Sequence, residues 1–338
     1  MNNQDSSEMN LFATNEQNKD KFSKRPESAI NEINFRLKMY EKLDYKTFLI
    51  TGGTGNLSSS FVSTLNEYAP NSKIIYPSKH DLNVEDFASF EHFRYLKPDF
   101  ILHCAAKVDA DFCEQNYIKA RINIVQGTSN ALKFSDEVGA KFFYPQSFLI
   151  FDGVESPATE STKPNPLSKY GDLKLEAESL IHASKQALVV RLGGFFGGEI
   201  KDKNFVGKMY QLFHSTLNSK GDKIEVGQRI WQPSYTKDLA RNILLLMALE
   251  KTGIYHMASL GHATFLEVAR TMAQVLDSTH KLKIEPFPEK SGWKHDVATR
   301  PEAVLMSNAR LDSEGINLQR SWRIALTEYL SSSYFKKF

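Results

Sequence analysis

A tyrosine and a lysine stand four residues apart in the stretch NPLSKYGDLKLEAES, at Tyr170 and Lys174. The residues after Pro166 are mostly good helix formers, and side chains four apart on a helix lie on one face. A positive charge beside a phenol favours the phenolate and lowers the tyrosine pKa, which makes a usable acid near neutral pH. Because the chain has 13 tyrosines, one such pair is expected by chance. A surface tyrosine beside a surface lysine is the alternative, so the pair needs support from elsewhere.

A glycine-rich turn, TGGTGNLSSS, follows the apolar run KTFLI and precedes the helical pattern FVSTLNEY. It holds Gly52, Gly53 and Gly55, with the small Ser58 where a third glycine is often found. Glycines in this position allow a tight turn and let the backbone approach a pyrophosphate at the helix N-terminus. The order strand, glycine turn, helix predicts the first unit of a dinucleotide-binding fold. A glycine-rich loop without a ligand is the alternative.

The stretch YPSKHDL, after the second predicted strand, bears on the choice of cofactor. An acidic residue directly after that strand would bind the ribose hydroxyls and repel a 2′-phosphate. Here Ser78, Lys79 and His80 follow the strand instead. Lys79 can meet a 2′-phosphate, so we predict NADPH, with NADH as the alternative. An ordinary solvated lysine is the other interpretation of Lys79.

Two further polar residues stand at predicted strand ends. Ser147 ends the apolar run AKFFYPQS, and a hydroxyl just beyond a strand lies where open α/β sheets bind ligands. A turn serine is the alternative. His103 stands at another strand end, and we expect it to lie near the cofactor rather than to take part in catalysis. The nine histidines form no metal-ligand pattern, and we predict no metal site; nothing resembles a nucleophile elbow.

Short apolar runs alternate with helical patterns over the first two thirds of the chain. The predicted strands lie at 46–50, 73–77, 99–106, 140–147, 186–193 and from 253. This alternation predicts an α/β protein with a Rossmann-type, doubly wound parallel sheet. After about Gly193 the alternation loosens, which predicts a smaller C-terminal substrate-binding lobe. We assign 45–192 to an NAD(P)-binding Rossmann domain and 193–338 mainly to the lobe, partly returning to the sheet.

The N-terminal segment differs from the rest. Residues 1–26 are polar, lack an apolar signal core and are predicted to be a disordered extension. Residues 27–44 are predicted to form a helix. Its apolar stripe, which packs against the domain or, less favoured, a partner subunit, consists of Ile30, Ile33, Leu37, Tyr40 and Leu43.

The composition is that of an ordinary soluble protein. The 338 residues are 41% hydrophobic and 24% charged, with a formal net charge of +2. This balance predicts no nucleic-acid partner, and no apolar run approaches the roughly 20 residues of a membrane span. The two cysteines, Cys104 and Cys113, have no CxxC spacing and fit a reducing compartment. We therefore expect a cytoplasmic protein.

The glycine turn, Ser147, Tyr170 and Lys174, in this order, resemble the extended short-chain dehydrogenase/reductase superfamily, whose active site is a Ser or Thr with a YxxxK pair. More of the chain, from about Thr47 to about Leu330, resembles one branch, the dTDP-4-dehydrorhamnose reductase (RmlD-like sugar-nucleotide-binding) family. The segments that carry this likeness are DFILHCAAKVDADFCE with Asp111 and Glu114, RINIVQGTSNAL with Asn123, PNPLSKYGDLKLEAE, NFVGKMYQL, QPSYTKDLARNI, GIYHMASLGHATFLEVA, TRPEAVLMSNARL and RSWRIAL.

The resemblance implies an NADPH-dependent reductase of a nucleotide-linked 4-keto-6-deoxy sugar, in deoxysugar and polysaccharide biosynthesis. Tyr170 would protonate the forming alkoxide, and Lys174 would lower the Tyr170 pKa and hold the nicotinamide ribose. Ser147 would hydrogen-bond the carbonyl oxygen. Asn123 would support the proton relay of Lys174 through water.

The resemblance also implies contacts for both ligands. The cofactor would contact Gly52, Gly55, Asn56, Leu57, Lys79, Asp81, Leu82, Cys104, Ala105 and Ala106, together with Tyr170 and Lys174. The nucleotide sugar would contact Lys107, Asn204, Gln232 and Arg300. A guanidinium suits phosphate oxygens, so Arg300 is the candidate for the sugar nucleotide's pyrophosphate. A structural salt bridge is the alternative for Arg300.

Three segments depart from the family pattern. The family's Ser-Thr-Asp reads Gln146, Ser147 and Phe148, and its Asn-Ala-Ala segment begins with His103. Its Arg-Thr-Ser-Trp reads Arg191, Leu192, Gly193 and Gly194. That tryptophan lies beside the sugar in the family, so its absence leaves the identity of the sugar open.

Other functions remain open within the resemblance. One is epimerisation or dehydration of a nucleotide sugar; Phe148 and Leu149 count against a dehydratase, which generally adds an acidic pair at this point. The other is a non-catalytic NADP-binding regulatory subunit, since the methionine adenosyltransferase β subunit is similar to the same branch. A homodimer is also compatible with the sequence.

Overall fold

The computed structural model describes residue 35 and residues 37–198, 202–219, 222–287 and 297–335. Its strands, in chain order, are β1 (Thr47–Thr51), β2 (Lys73–Ile75), β3 (Phe100–His103), β4 (Lys141–Ser147), β5 (Ala187–Leu192), β6 (Phe195–Phe196), β7 (Lys223–Val226), β8 (Ile230–Trp231), β9 (Ser234–Tyr235), β10 (Gly253–Met257), β11 (Ala263–Thr264) and β12 (Lys283–Pro286).

The helices of the same residues are α1 (Asn56–Tyr68), α2 (Ala88–Glu91), α3 (Ala110–Gln115), α4 (Tyr117–Arg121), α5 (Gly127–Val138), α6 (Lys169–Ile181), α7 (Phe205–Asn218), α8 (Thr236–Ala248), α9 (Phe265–Val275), α10 (Ala309–Ser313) and α11 (Trp322–Leu330). Short 3₁₀ turns cover Glu41–Leu43, Arg94–Leu96 and Phe148–Ile150, and a π-helical turn covers Ile122–Gln126.

The main sheet has six strands in the order β10-β5-β4-β3-β1-β2, all parallel. Parallel strands need crossover helices, which cover both faces of the sheet and leave its strands as apolar runs. Phe48, Leu49 and Ile50 of β1 are accordingly fully buried. The sheet confirms the predicted doubly wound α/β fold. Chain order changes direction between β1 and β3, which is where such sheets bind ligands.

Each face of the sheet has its own core. Phe48 and Ile50 of β1 point to one face, where α1 and α8 cover them. Leu49 points to the opposite face, which α5 and α6 cover. Successive strand residues alternate between faces, so both cores are built from the same short strands.

A further core, separate from the two faces of the sheet, lies in the C-terminal part of the chain. Helices α7, α9 and α11 surround buried residues such as Met209, Met272 and Leu326. The strand pairs β7–β12 and β8–β11 lie at this core. Helix α8 and strand β10 lie between β8 and β11 in sequence but return to the main sheet. Residues after 193 therefore contribute both to this C-terminal core and to the core beneath α1 and α8.

The N-terminal predictions are only partly accessible. The predicted disordered extension, 1–26, and most of the predicted helix, 27–44, lie outside the described residues. Residues 37–40 are helical and lead into the 3₁₀ turn Glu41–Leu43. Tyr40 and Leu43 are buried in the core beneath α1 and α8, and the Tyr40 hydroxyl donates to the Arg241 carbonyl at 2.8 Å.

The chain from Ala110 to Val138 does not form one continuous helix. Helix α3 ends at Gln115, α4 runs only from Tyr117 to Arg121, and the π-helical turn precedes α5. A π-helical turn inside a helix often marks a functional site. In the described ranges no helix is long and apolar enough to cross a membrane, and no group of three or more His, Cys, Asp or Glu side chains could hold a metal ion.

Candidate active site

The glycine turn lies at the switch point between β1 and β3. Gly52 has a φ of +68°, and a Cβ there would lie 2.8 Å from the Ala105 Cα. A Cβ on Gly53 would lie 2.2 Å from the Tyr76 carbonyl oxygen. The loops after β1, β2 and β3 therefore meet at distances that only glycine permits.

The same turn ends at the N-terminus of α1. Gly55 is the N-cap residue and supplies no side-chain hydrogen bond to the helix. The N–H groups of a first helical turn have no intrahelical acceptor and favour anions. The Ser58 hydroxyl donates to the Gly52 carbonyl at 2.9 Å and fixes the turn. This arrangement fits the pyrophosphate of a dinucleotide, with Asn56 and Leu57 in the first turn.

The loop after β2 holds the residues assigned to the adenosine end of the cofactor. The Lys79 ammonium, on a side chain 75% exposed, pairs with the Glu85 carboxylate at 3.1 Å. Asp81 accepts a hydrogen bond from the Ser78 hydroxyl at 2.7 Å, and Leu82 is buried. The lysine assigned to a 2′-phosphate thus has a carboxylate partner that the sequence analysis did not identify.

His103, at the end of β3, lies in a closed chain of hydrogen bonds. The Ala105 N–H donates to the Thr51 hydroxyl at 3.1 Å, and this hydroxyl lies 3.0 Å from His103 Nδ1. On the other side, the Thr128 hydroxyl donates to the Ile124 carbonyl at 2.6 Å and lies 3.3 Å from His103 Nε2. Thr51 must therefore donate to Nδ1, while Nε2 carries the proton and donates to Thr128.

The consequence is a neutral histidine beneath the cofactor loop. Burial, and to a smaller extent the nearby Lys174 charge, together lower the pKa of His103 to about 3. His103 orients the loop that contains Cys104, Ala105 and Ala106, of which Ala105 lies against Gly52. Burial also raises the pKa of the Cys104 thiol to about 12, which makes it unreactive.

Helix α6 carries the tyrosine and the lysine on its buried face. The Ser168 hydroxyl caps the helix by accepting from the Gly171 N–H at 3.2 Å. Tyr170 is 6% exposed and Lys174 3% exposed. Ser147 ends β4, at the carboxyl edge of the sheet, and its hydroxyl accepts from the Leu149 N–H at 3.2 Å and lies near enough to the Tyr170 phenol to lower its pKa. The structure therefore brings Ser147 close to Tyr170, with Lys174 one turn further along the helix.

The Tyr170 phenol is protonated in this environment. Burial raises the pKa of Tyr170 well above its usual value, and the nearby Ser147 hydroxyl opposes that shift only in part. The Lys174 ammonium donates to the Pro145 carbonyl at 2.8 Å and lies 3.9 Å from the centre of the Tyr144 ring. Burial lowers the pKa of Lys174 to about 7. The lowering of the Tyr170 pKa by Lys174, expected from sequence, is not what sets this pKa here.

Asn123 lies in the π-helical turn and uses both ends of its amide. Its Oδ1 accepts from the Lys107 N–H at 2.6 Å, and its Nδ2 donates to the Glu85 carboxylate at 2.8 Å. Glu85 is therefore shared between Asn123 and Lys79. Through these contacts Asn123 joins the loop after β3 to the loop after β2. Its role in a relay to Lys174 stays a prediction.

The residues assigned to the substrate have partners within the chain. The Asn204 amide donates to the Phe195 carbonyl at 2.8 Å. The Gln232 amide accepts from the Met306 N–H at 2.7 Å. The Arg300 guanidinium pairs with the Asp111 carboxylate at 3.0 Å, and Lys107 is exposed. The salt bridge left open for Arg300 is present, and the contacts of all four residues with a substrate stay predictions.

A family model described as the RmlD substrate binding domain matches residues 46–335. The chain belongs to this family. Among curated proteins, this RmlD-family chain is 29% identical over 286 residues to the spore coat polysaccharide biosynthesis protein SpsK of Bacillus subtilis (strain 168), with 83% of this chain and 96% of SpsK covered. It is also 29% identical over 307 residues to methionine adenosyltransferase 2 subunit beta of Xenopus tropicalis, with 83% and 86% covered.

Solved structures share the fold of this RmlD-family protein. One is a dTDP-4-dehydrorhamnose reductase of Bacillus anthracis in complex with NADP, with a TM-score of 0.77 and 24% identity. The alignment covers 84% of this chain and 98% of that one. The resemblance found in the sequence is confirmed at the level of the family and the fold.

The RmlD-family site contains buried residues that the sequence analysis did not place there. Gln146 bridges the backbone of Ser147 and Lys174, and Glu178 pairs with Arg191 behind it. Glu178 stands four residues after Lys174, so its spacing on the buried face of α6 was a usable signal.

Asp202 is a further residue that was missed. It accepts from the Asn56 amide at 3.1 Å and thereby joins the lobe to the start of α1. Burial raises the pKa of Asp202 to about 6. No sequence spacing connects these two positions, which lie far apart in the chain.

Proposed function

We propose that this RmlD-family protein is an NADPH-dependent reductase of a nucleotide-linked 4-keto-6-deoxy sugar. The observation that carries the proposal is the packing of α6, with Tyr170 and Lys174 on its buried face, against the carboxyl end of β4 that carries Ser147. Support also comes from SpsK, named for polysaccharide biosynthesis, and from the B. anthracis protein, named a dTDP-4-dehydrorhamnose reductase. Deoxysugar or polysaccharide biosynthesis is the corresponding role.

The residues present fit a nicotinamide cofactor. Gly52, Gly55, Asn56 and Leu57 would hold the pyrophosphate, and Lys79 would meet the 2′-phosphate of NADPH after leaving Glu85. Asp81 and Leu82 would line the adenosine end, and Cys104, Ala105 and Ala106 would line the loop beside it. When bound, the dihydronicotinamide supplies the hydride for the carbonyl carbon. NADH remains the alternative cofactor, although no acidic residue directly follows β2 to bind its ribose hydroxyls.

The proton chemistry is assigned to Ser147 and Tyr170. The raised pKa keeps the Tyr170 phenol protonated at neutral pH, so it holds the proton that the sugar alkoxide needs. The Ser147 hydroxyl would donate to the carbonyl oxygen as negative charge develops there. After proton donation, the Ser147 hydrogen bond and the Lys174 charge would stabilise the phenolate. Asn123 would hold water for the return of the proton.

The substrate would lie between the sheet edge and the lobe. Lys107 and Arg300 would bind its phosphates, and Asn204 and Gln232 would contact its polar groups. Arg300 would exchange Asp111 for the more highly charged pyrophosphate, which suits a guanidinium.

The test follows the oxidation of NADPH with a panel of dTDP- and UDP-linked 4-keto-6-deoxy sugars. We expect turnover with at least one of them, and a loss of about 100-fold or more in Tyr170→Phe with NADPH binding nearly unchanged. Equal turnover of the parent and Tyr170→Phe would refute the mechanism. NADPH binding without reduction of any panel member would refute the reductase proposal for these sugars.

Two other functions have specific grounds. The 29% identity to methionine adenosyltransferase 2 subunit beta favours a regulatory NADP-binding subunit, and a stable complex with a synthetase partner without turnover would support it. An epimerase or dehydratase would recycle its nicotinamide, so its product would form without net oxidation of NADPH. Phe148 and Leu149, which follow Ser147, leave a dehydratase without the acidic pair it generally has there.

A further inference from the structure

One buried side chain bridges two of the candidate catalytic residues. Gln146, at the end of β4, is 2% exposed. Its Oε1 accepts from the Ser147 N–H at 2.8 Å, and its Nε2 donates to the Lys174 carbonyl at 2.8 Å. We propose that Gln146 is a positioning residue that fixes Ser147 relative to Tyr170 and Lys174. This inference rests on the proposed function.

The orientation of the Gln146 amide is determined by its partners. Nε2 faces two acceptors, the Lys174 carbonyl and the Glu178 Oε2, the latter also at 2.8 Å. Oε1 faces a donor, the Ser147 N–H. A flipped amide would place its oxygen against two acceptors and its NH₂ against a donor, and would lose all three hydrogen bonds. One conformation therefore serves both the strand and the helix.

Glu178, the acceptor behind Gln146, is itself held in place by an arginine. Glu178 is fully buried, and its carboxylate receives Arg191 Nη2 at 2.6 Å and Nε at 3.3 Å. Such a two-point guanidinium contact fixes the carboxylate geometrically. Arg191 belongs to β5, beside β4 in the sheet. The Gln146 amide is thus anchored by helix and sheet together, and its own backbone continues directly into Ser147.

This anchoring has a consequence for the chemistry. The Ser147 hydroxyl lies near the Tyr170 phenol and lowers its pKa against the effect of burial. If Gln146 no longer held the Ser147 N–H, the hydroxyl would move away from the phenol and this lowering would diminish. Turnover would fall, because Ser147 would no longer be placed to serve both the phenol and the carbonyl oxygen. In the described part of the chain Gln146 makes no hydrogen bond to the loops after β1, β2 and β3, so NADPH affinity should not change.

The test compares Gln146→Met with a matched control, Asn242→Leu. Asn242 of α8 is a fully buried amide that also makes three hydrogen bonds, to the Ile316 carbonyl, the Leu318 N–H and the Gln319 amide. Both variants replace a buried amide by an apolar side chain of similar size, so both should lose stability. We expect kcat to fall about ten-fold or more only in Gln146→Met, with an unchanged Kd for NADPH. An equal kcat in the two variants would overturn the inference.

A second variant remains informative if Gln146→Met does not fold. Gln146→Glu keeps an acceptor for the Ser147 N–H but places a carboxylate oxygen against Glu178 and the Lys174 carbonyl. Protonation of the new carboxyl group restores a donor at that point, so its kcat relative to the parent should recover as the pH falls. A ratio to the parent that does not change with pH would count against the inference.

A crystal structure separates this inference from the proposed function. Parent turnover and its loss in Tyr170→Phe decide the function. The distance between Ser147 Oγ and Tyr170 Oη in the variant that folds, Gln146→Met or Gln146→Glu, decides the positioning without any turnover. We expect it to be longer than the same distance in a crystal structure of the parent. An unchanged distance in that variant would overturn the inference, whatever the parent does with sugars.

Discussion

The Gly171 Cα lies against the Leu149 carbonyl, so closely that a Cβ would be 2.4 Å from the oxygen and 2.7 Å from the Pro166 Cβ. Leu149 belongs to the 3₁₀ turn directly after Ser147, and Gly171 directly follows Tyr170. The absence of a side chain at 171 therefore allows the start of α6 to lie on the turn that carries the serine. The contact between Ser147 and Tyr170 depends on this approach.

Gly171→Ala should displace the start of α6 from that turn and lower kcat, by about ten-fold or more, because the new methyl group overlaps backbone atoms. Steady-state turnover and NADPH titration check this. The control is Gly139→Ala, whose Cβ would meet nothing within 4 Å although its φ is +72°. That variant should lose about 1 kcal/mol of stability through backbone strain and keep its kcat. An unaltered kcat in Gly171→Ala would refute the prediction.

Lys79 should distinguish NADPH from NADH. Lys79→Met removes the charge available to a 2′-phosphate, so we expect NADPH to bind about ten-fold more weakly and NADH equally well. Fluorescence titration with both cofactors measures this. The control is Lys185→Met. Lys185 is an exposed lysine just before β5, at the amino ends of the strands rather than at their carboxyl ends. An equal loss of affinity for both cofactors, or no loss for either, would show that Lys79 does not bind the 2′-phosphate.

Removing the carboxylate that holds Lys79 should have the opposite effect. Glu85→Gln frees the ammonium from its 3.1 Å ion pair and should tighten NADPH binding without changing NADH binding. The same titrations check it. Because Glu85 also accepts from Asn123, turnover should be followed separately. Weaker binding of NADPH would indicate that Glu85 supports the loop more than it competes for Lys79.

Acid should destabilise the fold through its buried histidines. The folded pKa is lowered by burial, to about 3 for His103 and about 4 for His256, against about 6.5 when unfolded. Below pH 6.5 the unfolded chain binds more protons, so stability is complete above that pH and falls as pH decreases, by up to about 1.4 kcal/mol per unit per histidine. Urea unfolding at pH 7.5 and pH 5 measures the loss. His103→Asn should lose less stability than the parent between the two pH values. An equal loss would show that His103 does not contribute to the acid sensitivity of the fold.

Cofactor affinity should depend on the protonation of Lys174. Burial lowers the pKa of Lys174 to about 7 in the free protein, so the ammonium is lost as the pH rises through neutrality. If the ammonium holds the ribose, NADPH affinity should fall above pH 7, at most about ten-fold per pH unit. Titrations from pH 6 to pH 9 test this. Lys174→Met should bind NADPH more weakly than the parent, with an affinity that does not change with pH. An identical dependence of NADPH affinity on pH in the two proteins would refute the prediction.

Local patterns in the sequence predicted the features that depend on local structure. The apolar runs predicted the strands of the main sheet, because strands covered on both faces are continuously apolar. The four-residue spacing of Tyr170 and Lys174 predicted their common face on α6. The glycine turn was identifiable because Gly52 and Gly53 meet neighbouring loops at distances closed to other residues.

Contacts between distant parts of the chain were not predictable in the same way. The pairing of Asp111 with Arg300 and the anchoring of Gln146 by Glu178 depend on how helices and sheet pack, and no periodicity records this. The π-helical turn Ile122–Gln126 was not predicted either. The effect of burial on the Tyr170 pKa outweighed the local charge that the spacing suggested.

The return of α8 and β10 to the main sheet has a consequence for synthesis on the ribosome. β10 pairs with β5 along its whole length, and α8 covers Leu188 and Val190. A nascent chain that has emerged only as far as Leu192 therefore has an open sheet edge and an uncovered apolar face, both prone to aggregation. The sheet closes only after Met257 has emerged, so the nascent chain must remain soluble while about 65 more residues are translated.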